Sequence, residues 1–259
     1  MNEESISDRS AKIDDIQSNQ YTFPYHYIPT SDGFPNFSKE WSFSPSYLAA
    51  INLFQEWLES EIKSSTNHLH MDYGCGDGGF IYNVKSQGNF NGVDFYGIDF
   101  DKKAIEWASL FNSGSNNFTN DDITNLKSSW FDSGSLVEVL EHIPPTECST
   151  FISCIAKSLK SEASLFVTVP SNQKPTFSKH YRHFDFETLA NEFKEHFHVE
   201  EVFGFERINF TTRVLKRCMK SRWWYLEIKF INQYLINSYY KKYSDIKGCG
   251  RIGMTLRKK

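Results

Sequence analysis

The stretch Met71-Asp72-Tyr73-Gly74-Cys75-Gly76-Asp77-Gly78-Gly79 decides how this chain is read. A short apolar strand, His68–Tyr73, leads into it and carries Asp72 at its end. Glycines at 74, 76, 78 and 79 follow, and Gly79–Lys85 then begins a helix. Glycine is needed where the backbone turns with positive φ or lies against a ligand. The helix start offers unpaired N–H groups to an anionic ligand group. Two spacings compete: Gly74-x-Gly76-x-x-Gly79 fits a dinucleotide fingerprint, and Gly74-x-Gly76-x-Gly78 fits a tighter nucleoside loop. A glycine turn without a ligand is the third and weakest reading after a strand.

Working outward, strands and helices alternate. Phe95–Asp99 predicts a second strand, Lys102–Phe111 a helix, Asn117–Thr119 a weak third strand and Ser133–Val137 a fourth. Thr146–Lys160 predicts a helix, Ser164–Val169 a fifth strand ended by Pro170, Phe186–Phe197 a helix and Val199–Phe205 a strand. That alternation predicts an α/β fold, a Rossmann-like doubly wound, mostly parallel sheet with helices on both faces. Residues 66–206 form its core. Residues 1–19 are polar and are expected to be a flexible leader. Residues 20–65 hold an ordered aromatic arm, Tyr21 to Phe43, and an amphipathic helix from Pro45 to Lys63. Residues 207–248 form a basic, aromatic helical insertion before the last strand, helical over 211–243, and 249–259 supply the final strand of the sheet. Ser133-Gly134-Ser135 stands where an apolar fourth strand is normal, so distortion is expected there.

Three downstream features narrow the glycine loop. Asp99 ends the second strand, where a carboxylate can accept hydrogen bonds from two ribose hydroxyls. Asp122 and Ile123 follow the third strand, an acid and an apolar neighbour able to frame an adenine. Glu138-Val139-Leu140-Glu141-His142-Ile143-Pro144-Pro145 follows the fourth. Ligands of open α/β sheets bind outside the carboxyl ends of the strands, so all of these share one crevice.

From about His68 to Phe205 the chain resembles the class I S-adenosylmethionine-dependent methyltransferases. The glycine loop is similar to that family's D-x-G-x-G-x-G motif, and Ile98-Asp99-Phe100-Asp101 with Ala104-Ile105 resembles its ribose-binding segment. Phe131-Asp132 and Glu138-Val139-Leu140-Glu141-His142 resemble the F-D…E-V-L-E-H block of the branch with quinone-biosynthesis O-methyltransferases. The resemblance implies S-adenosylmethionine as cofactor. Asp72, Gly74, Gly76 and Gly78 would hold its methionine part, Asp99 and Phe100 its ribose side, Asp122 and Ile123 its adenine, with Glu138 beside it. Lys179-His180-Tyr181-Arg182-His183-Phe184-Asp185 resembles, more weakly, methyltransferases of bacterial surface-glycan pathways.

Methyl transfer to a hydroxyl requires alignment of the acceptor and removal of a proton. His142 and Glu138 are the first candidate bases, His183 a further one; a backbone-bonded helix-start histidine is the bland alternative for His142. His180, Arg182, Tyr25 and His26 are candidates for holding the acceptor. No resident metal is assigned. Glu138, Glu141 and His142 with a distant His180 or His183 resemble the E-x-x-E-H…H ligand set of metal-dependent RNA 3′-end 2′-O-methyltransferases. A divalent cation, Mg²⁺ or Mn²⁺, would therefore draw on Glu138, Glu141, His142 and His183. The favoured reaction is methylation of a hydroxyl on a small or lipid-linked, sugar-type acceptor. The RNA enzyme, a non-catalytic binding module on the same fold and a nicotinamide dehydrogenase are the alternatives.

The 259 residues, 39% hydrophobic and 23% charged, suit one large globular domain. Residues 1–200 carry 14 Lys/Arg against 28 Asp/Glu, whereas residues 201–259 carry 14 against 4. An acidic body disfavours a nucleic-acid groove, and the basic tail suits a peripheral contact through 213–243 with an anionic membrane. A lid or a homodimer interface is the other use of that segment, which includes Trp223-Trp224-Tyr225. Five scattered cysteines without metal spacing and a polar, acidic N-terminus predict a cytoplasmic protein, possible at the inner membrane face.

Overall fold

The computed structural model describes residues 6–22, 26, 44–62, 67–112, 117–219, 226 and 228–259. Tyr25, Trp223, Trp224, Tyr225 and most of the arm from Tyr21 to Phe43 lie outside the described residues. Alternation along the strands builds the centre. In β1 (His68–Tyr73), Met71 and Tyr73 enter one apolar cluster while His70 faces the other side. A strand that shows two different faces to two helical layers has to be interior, and β1 pairs in parallel with both β2 (Val93–Ile98) and β4 (Phe131–Val137).

The seven strands run in the order β3-β2-β1-β4-β5-β7-β6, with β3 at Phe118–Thr119, β5 at Leu159–Pro170, β6 at Phe197–Arg207 and β7 at Cys249–Lys258. β7 is antiparallel to both of its neighbours, so all the others point the same way. The order reverses between β1 and β4, which makes their carboxyl ends the natural crevice. On one face α5 (Cys148–Ser158) and α6 (Phe186–Phe193) pack Ile152, Ile155, Leu189 and Phe193 against Met71, Leu136 and Leu165. On the other, α2 (Ser44–Glu61), α3 (Gly79–Gln87) and α4 (Lys102–Phe111) pack Phe54, Phe80, Val84 and Ile105 against Phe95, Phe166 and Phe203. The doubly wound sheet with helices on both faces is thus present. Among the described residues, no helix is long and apolar enough to cross a membrane.

Three expectations are corrected. Residues 1–19, read as a flexible leader, contain helix α1 (Ile6–Gln20). Ile13 and Tyr21 are buried, Trp107 Nε1 donates to the Tyr21 carbonyl at 2.9 Å, and Lys179 Nζ donates to Gln20 Oε1 at 3.1 Å. Two apolar anchors and two latches hold a helix whose polar composition gave no sign of it. Second, Ser133-Gly134-Ser135 keeps an unbroken register with β1 and β5, and the expected distortion is confined to the step before it, where the β4–β5 register shifts between Phe131 and Ser133. Gly134 leaves room for the Tyr73 ring, since a Cβ there would lie 2.7 Å from it, and both serines bond to buried partners in β1. Third, among the described residues of the segment read as helical over 211–243, helix α7 starts one residue earlier (Phe210–Met219) and helix α8 (Lys229–Tyr239) ends four residues sooner; their inner faces meet Ala49 of α2 through Met219, Leu235 and Tyr239. The predicted end of the α6 helix also moves, because Phe197 pairs with Lys258 and belongs to β6.

Candidate active site

The glycine loop turns because two of its glycines have no substitute. Gly74 has φ 74° and a Cβ there would sit 2.5 Å from Val139; Gly78 has φ 73° and its Cβ would sit 2.8 Å from Ala108. The amides of Gly74 and Cys75 both donate to the Ile98 carbonyl, at 2.8 and 3.0 Å, tying the loop to the end of β2. Asp99 follows at once. Its carboxylate accepts from Gly76 N and Asp101 N, each at 2.9 Å, which fixes its orientation at the crevice. Asp72 accepts from Ser135 Oγ at 2.6 Å. Burial pushes the Asp72 carboxyl up to about 7 and the Asp99 carboxyl up to about 6. Asp122 is exposed, accepts from Thr124 N and Oγ1 at 2.8 Å, and is held low by those bonds.

A cavity of about 1000 Å³ opens here, lined by Asp72, Gly74, Gly76, Asp99, Phe100, Asp122, Ile123 and Glu138. Its volume is at the upper end for small-molecule sites, enough for a nucleoside cofactor and a second molecule. Of the residues expected to hold the cofactor, Gly78 alone is absent from this wall. It packs under the loop against Ala108 and Asn112 and begins α3 instead. Helix α1 covers the cavity with Ile13, Ile16, Gln20 and Tyr21.

The far half of the cavity is polar. Glu138 adopts the left-handed conformation at φ 57° and accepts from Thr168 Oγ1 at 3.1 Å and Arg251 Nε at 2.9 Å. Arg251 also bridges to Glu206, which accepts from Lys174 Nζ at 2.8 Å and Ser46 Oγ at 2.7 Å. Burial works against the Glu206 carboxylate, but the Arg251 and Lys174 cations outweigh it and hold it down at about 2. Glu138 is therefore an ion-paired group, not a bare base.

The histidines form an ordered set. His142 Nδ1 lies 3.0 Å from the Lys179 carbonyl, which can only accept, so Nδ1 carries the hydrogen and Nε2 has a bare lone pair. His183 Nδ1 lies 3.0 Å from the Lys174 carbonyl, so its Nε2 is an acceptor. His180 Nδ1 donates to it at 2.8 Å. Burial pushes His142 down to about 3 and His180 down to about 2, so both rings are neutral near pH 7. His142 and His180 meet edge to face at 4.7 Å, and a ligand atom from each lies within 4.8 Å of one from Glu141. Glu141 is buried, its Oε2 has no hydrogen-bond partner among the described residues, and burial drives its carboxyl well above the ordinary range.

Several expected residues sit elsewhere. His183 supports His180 from behind and does not line the cavity; the divalent-ion candidates thus become Glu141, His142 and His180, without His183 and without the ion-paired Glu138. Arg182 turns away to Glu192 at 2.7 Å and to Cys148 Sγ at 3.1 Å and lies over Phe184, so its long side chain joins α6 to α5. His26 lines the cavity, but its Nδ1 is 2.8 Å from Asp77 and its ring stacks on Tyr47. Among the wall residues given no role in the sequence are two cations, Lys179 and Arg251. Arg251 is an isolated cation in a final strand, and only the pairing of β7 beside β5 and β6 brings it to the crevice.

A nucleoside-sized crevice at the switch point of this sheet, with a glycine turn and a carboxylate at the end of β2, defines a Rossmann-like S-adenosylmethionine-dependent methyltransferase. The chain belongs to the methyltransferase-domain family, whose model, described as "Methyltransferase domain", matches residues 48–226. Similar solved structures include geranyl diphosphate C-methyltransferase from Streptomyces coelicolor A3(2), at 11% identity and TM-score 0.60, covering 97% of this chain and 98% of that one. They also include a SAM-dependent methyltransferase from Archaeoglobus fulgidus, at 16% identity and TM-score 0.53, covering 80% and 94%. Phosphoethanolamine N-methyltransferase 2 from Haemonchus contortus, solved with S-adenosyl-L-methionine, is 15% identical with TM-score 0.52, covering 82% and 56%. No curated protein matches the chain by sequence.

Proposed function

We propose that this enzyme methylates a hydroxyl group of a small or lipid-linked, sugar-type acceptor. The observation that carries the reading is the neutral imidazole of His142, oriented by the Lys179 carbonyl with its Nε2 lone pair beside the cavity. When bound, the cofactor supplies a methyl group on a positively charged sulfur, open to in-line attack by a nucleophile. Asp99 would accept from the ribose hydroxyls of the cofactor, Asp122 and Ile123 would flank its base, and Asp72 would lie at its methionine end. Glu138, held by Arg251, marks the border between cofactor and acceptor.

His142 takes the acceptor proton on Nε2, while the Lys179 carbonyl keeps the ring oriented and stabilises the imidazolium that results. Replacing His142 with glutamine is expected to lower kcat by about 10²–10⁴-fold. Cofactor affinity should stay unchanged. Transfer of a labelled methyl group to a panel of sugar and glycolipid hydroxyls checks this, and full turnover by the His142→Gln enzyme would exclude His142 as the base.

The Glu141–His142–His180 cluster favours a second reading, in which a divalent cation binds there and lowers the acceptor hydroxyl's pKa. Two imidazoles and one carboxylate suit Mn²⁺. Stoichiometric Mn²⁺ binding that is lost in His180→Ala, together with loss of turnover in chelator, would support it; unaltered activity in chelator would favour the metal-free base.

Cofactor affinity should increase as pH rises. Asp72 and Asp99 titrate near 7 and 6, and a cationic ligand favours their ionised forms. Binding therefore strengthens as each proton is lost and levels off above the higher value. Calorimetric titrations across that range test this; Ser135→Ala removes a donor to Asp72 and should move the rise to higher pH. A lipid-linked acceptor fits the outer faces of α7 and α8. There Phe210, Val214, Phe230 and Tyr234 are exposed beside Arg213, Arg217 and Lys229, a face suited to anionic lipid.

A further inference from the structure

Polar residues occupy every second position on one face of two adjacent strands: His68, His70 and Asp72 in β1, and Ser133 and Ser135 in β4. The parallel register sets Ser133 beside His70 and Ser135 beside Asp72. All five are buried. The rings of Phe54 and Phe95 wall the column, their centroids 5.2 and 5.5 Å from that of His70. These groups therefore satisfy one another, and their order can be deduced.

A carboxylate only accepts, so the Ser135 hydroxyl donates to Asp72 Oδ1 at 2.6 Å. The Ser135 oxygen must then accept, which places the His70 hydrogen on Nε2, 2.9 Å away. His70 Nδ1 is bare and accepts from the Ser133 hydroxyl at 2.7 Å. The Ser133 oxygen accepts from His68 Nε2–H, again at 2.7 Å. Every donor points toward the cofactor end of the sheet. When Asp72 is protonated on the oxygen facing Ser135, its O–H donates to Ser135 and every one of these bonds reverses.

We propose that this column is a proton relay through which Asp72, at the cofactor end of β1, gains or loses its proton by way of His68 at the opposite end, about 13 Å away along the strand. The protons balance. One from a solvent acid binds His68 Nδ1, and the hydrogen on His68 Nε2 passes to Ser133. The Ser133 hydrogen passes to His70 Nδ1, the His70 Nε2 hydrogen to Ser135, and the Ser135 hydrogen to Asp72. Both histidines end neutral, each with its hydrogen on the other nitrogen, and no oxidant or further reactant is needed.

Burial sets Asp72 near 7, with the neighbouring Asp99 charge adding to the rise, so both of its forms are available close to neutrality. At the far end His68 is lowered by burial, opposed by Asp132 and Glu61 and assisted by Lys160. His68 keeps 6% exposure, enough for exchange with water. The purpose follows from the reaction class: the sulfur beside these acids is cationic before transfer and neutral after it. A carboxylate supplied from below the sheet can match that change while α1 covers the cavity.

Nitrogen-15 NMR of histidine-labelled enzyme tests the relay. His70 and His68 should both carry their hydrogen on Nδ1 at low pH and on Nε2 at high pH, with one shared midpoint, between about pH 5.5 and 8.5. Adding S-adenosylmethionine below that midpoint should drive both toward Nε2–H. In Ser133→Ala, His70 should still follow Asp72 while His68 stops responding. A single unchanging tautomer in either wild-type ring would overturn the proposal, as would a His68 that still responds in Ser133→Ala. Should that variant not fold, the wild-type titration decides alone.

Discussion

Asp99→Ala is expected to weaken S-adenosylmethionine binding by at least about 10²-fold while leaving the protein folded. The side chain ends β2 with its orientation set by two backbone amides, Gly76 N and Asp101 N, so it is pre-positioned before any ligand arrives. Charge-assisted hydrogen bonds to two ribose hydroxyls contribute about 1.5–3 kcal/mol each, so affinity should fall by about 10²–10⁴-fold. Asp99→Asn retains an oxygen for one amide and one hydroxyl and should lose less. Isothermal calorimetry on both variants, with circular dichroism as the fold control, provides the comparison. Unchanged affinity in the alanine variant would mean that the cofactor does not lie against the end of β2.

The largest stability effect is expected at Arg251. Arg251→Leu would leave Glu138 without its cation and Glu206 with Lys174 only, in a buried setting. Breaking a buried ion pair by removing one partner costs about 3–5 kcal/mol, a large share of the 5–15 kcal/mol that holds a typical domain together. Adding Glu206→Gln to Arg251→Leu removes one stranded charge and should recover part of the loss. Urea denaturation measures both, and a single variant as stable as the wild type would show the network to be energetically idle. The same pairing predicts an acid limb. Glu206 titrates near 4.5 when unfolded and near 2 in the fold, so its contribution is fully present above 4.5 and disappears as pH falls through that window. In Glu206→Gln that part of the acid sensitivity should vanish.

Much of this was legible in the residues because it is local. The strand, glycine turn and helix around Asp72–Gly79 follow from neighbours in the chain, and so does Asp99 at the end of a strand. Ser133-Gly134-Ser135 shows where local reading fails. Judged as a strand it looks weak, yet across β1 it meets His68, His70, Asp72 and Tyr73, for which two small hydroxyls and a missing Cβ are the fitting partners. The histidine pair near His180 was visible as a cluster, but which ring faces the cavity depends on the carbonyls of Lys174 and Lys179. Helix α1 was invisible for the same reason. Its anchors, Trp107 and Lys179, lie far along the chain.

The Asp72–Gly79 loop with Asp99, Asp122 and the Glu138–His142 block was enough, by itself, to determine the fold and the methyl donor. Backbone turns and strand ends are short-range features, and the proposed cofactor site is built largely from them. Tertiary structure alone decided the far half of the cavity: that Glu138 is paired with Arg251, that Arg182 and His183 stand outside the cavity, and that Glu141, His142 and His180 converge. Those contacts join residues from opposite ends of the chain, and their protonation depends on burial, which no run of residues carries within itself.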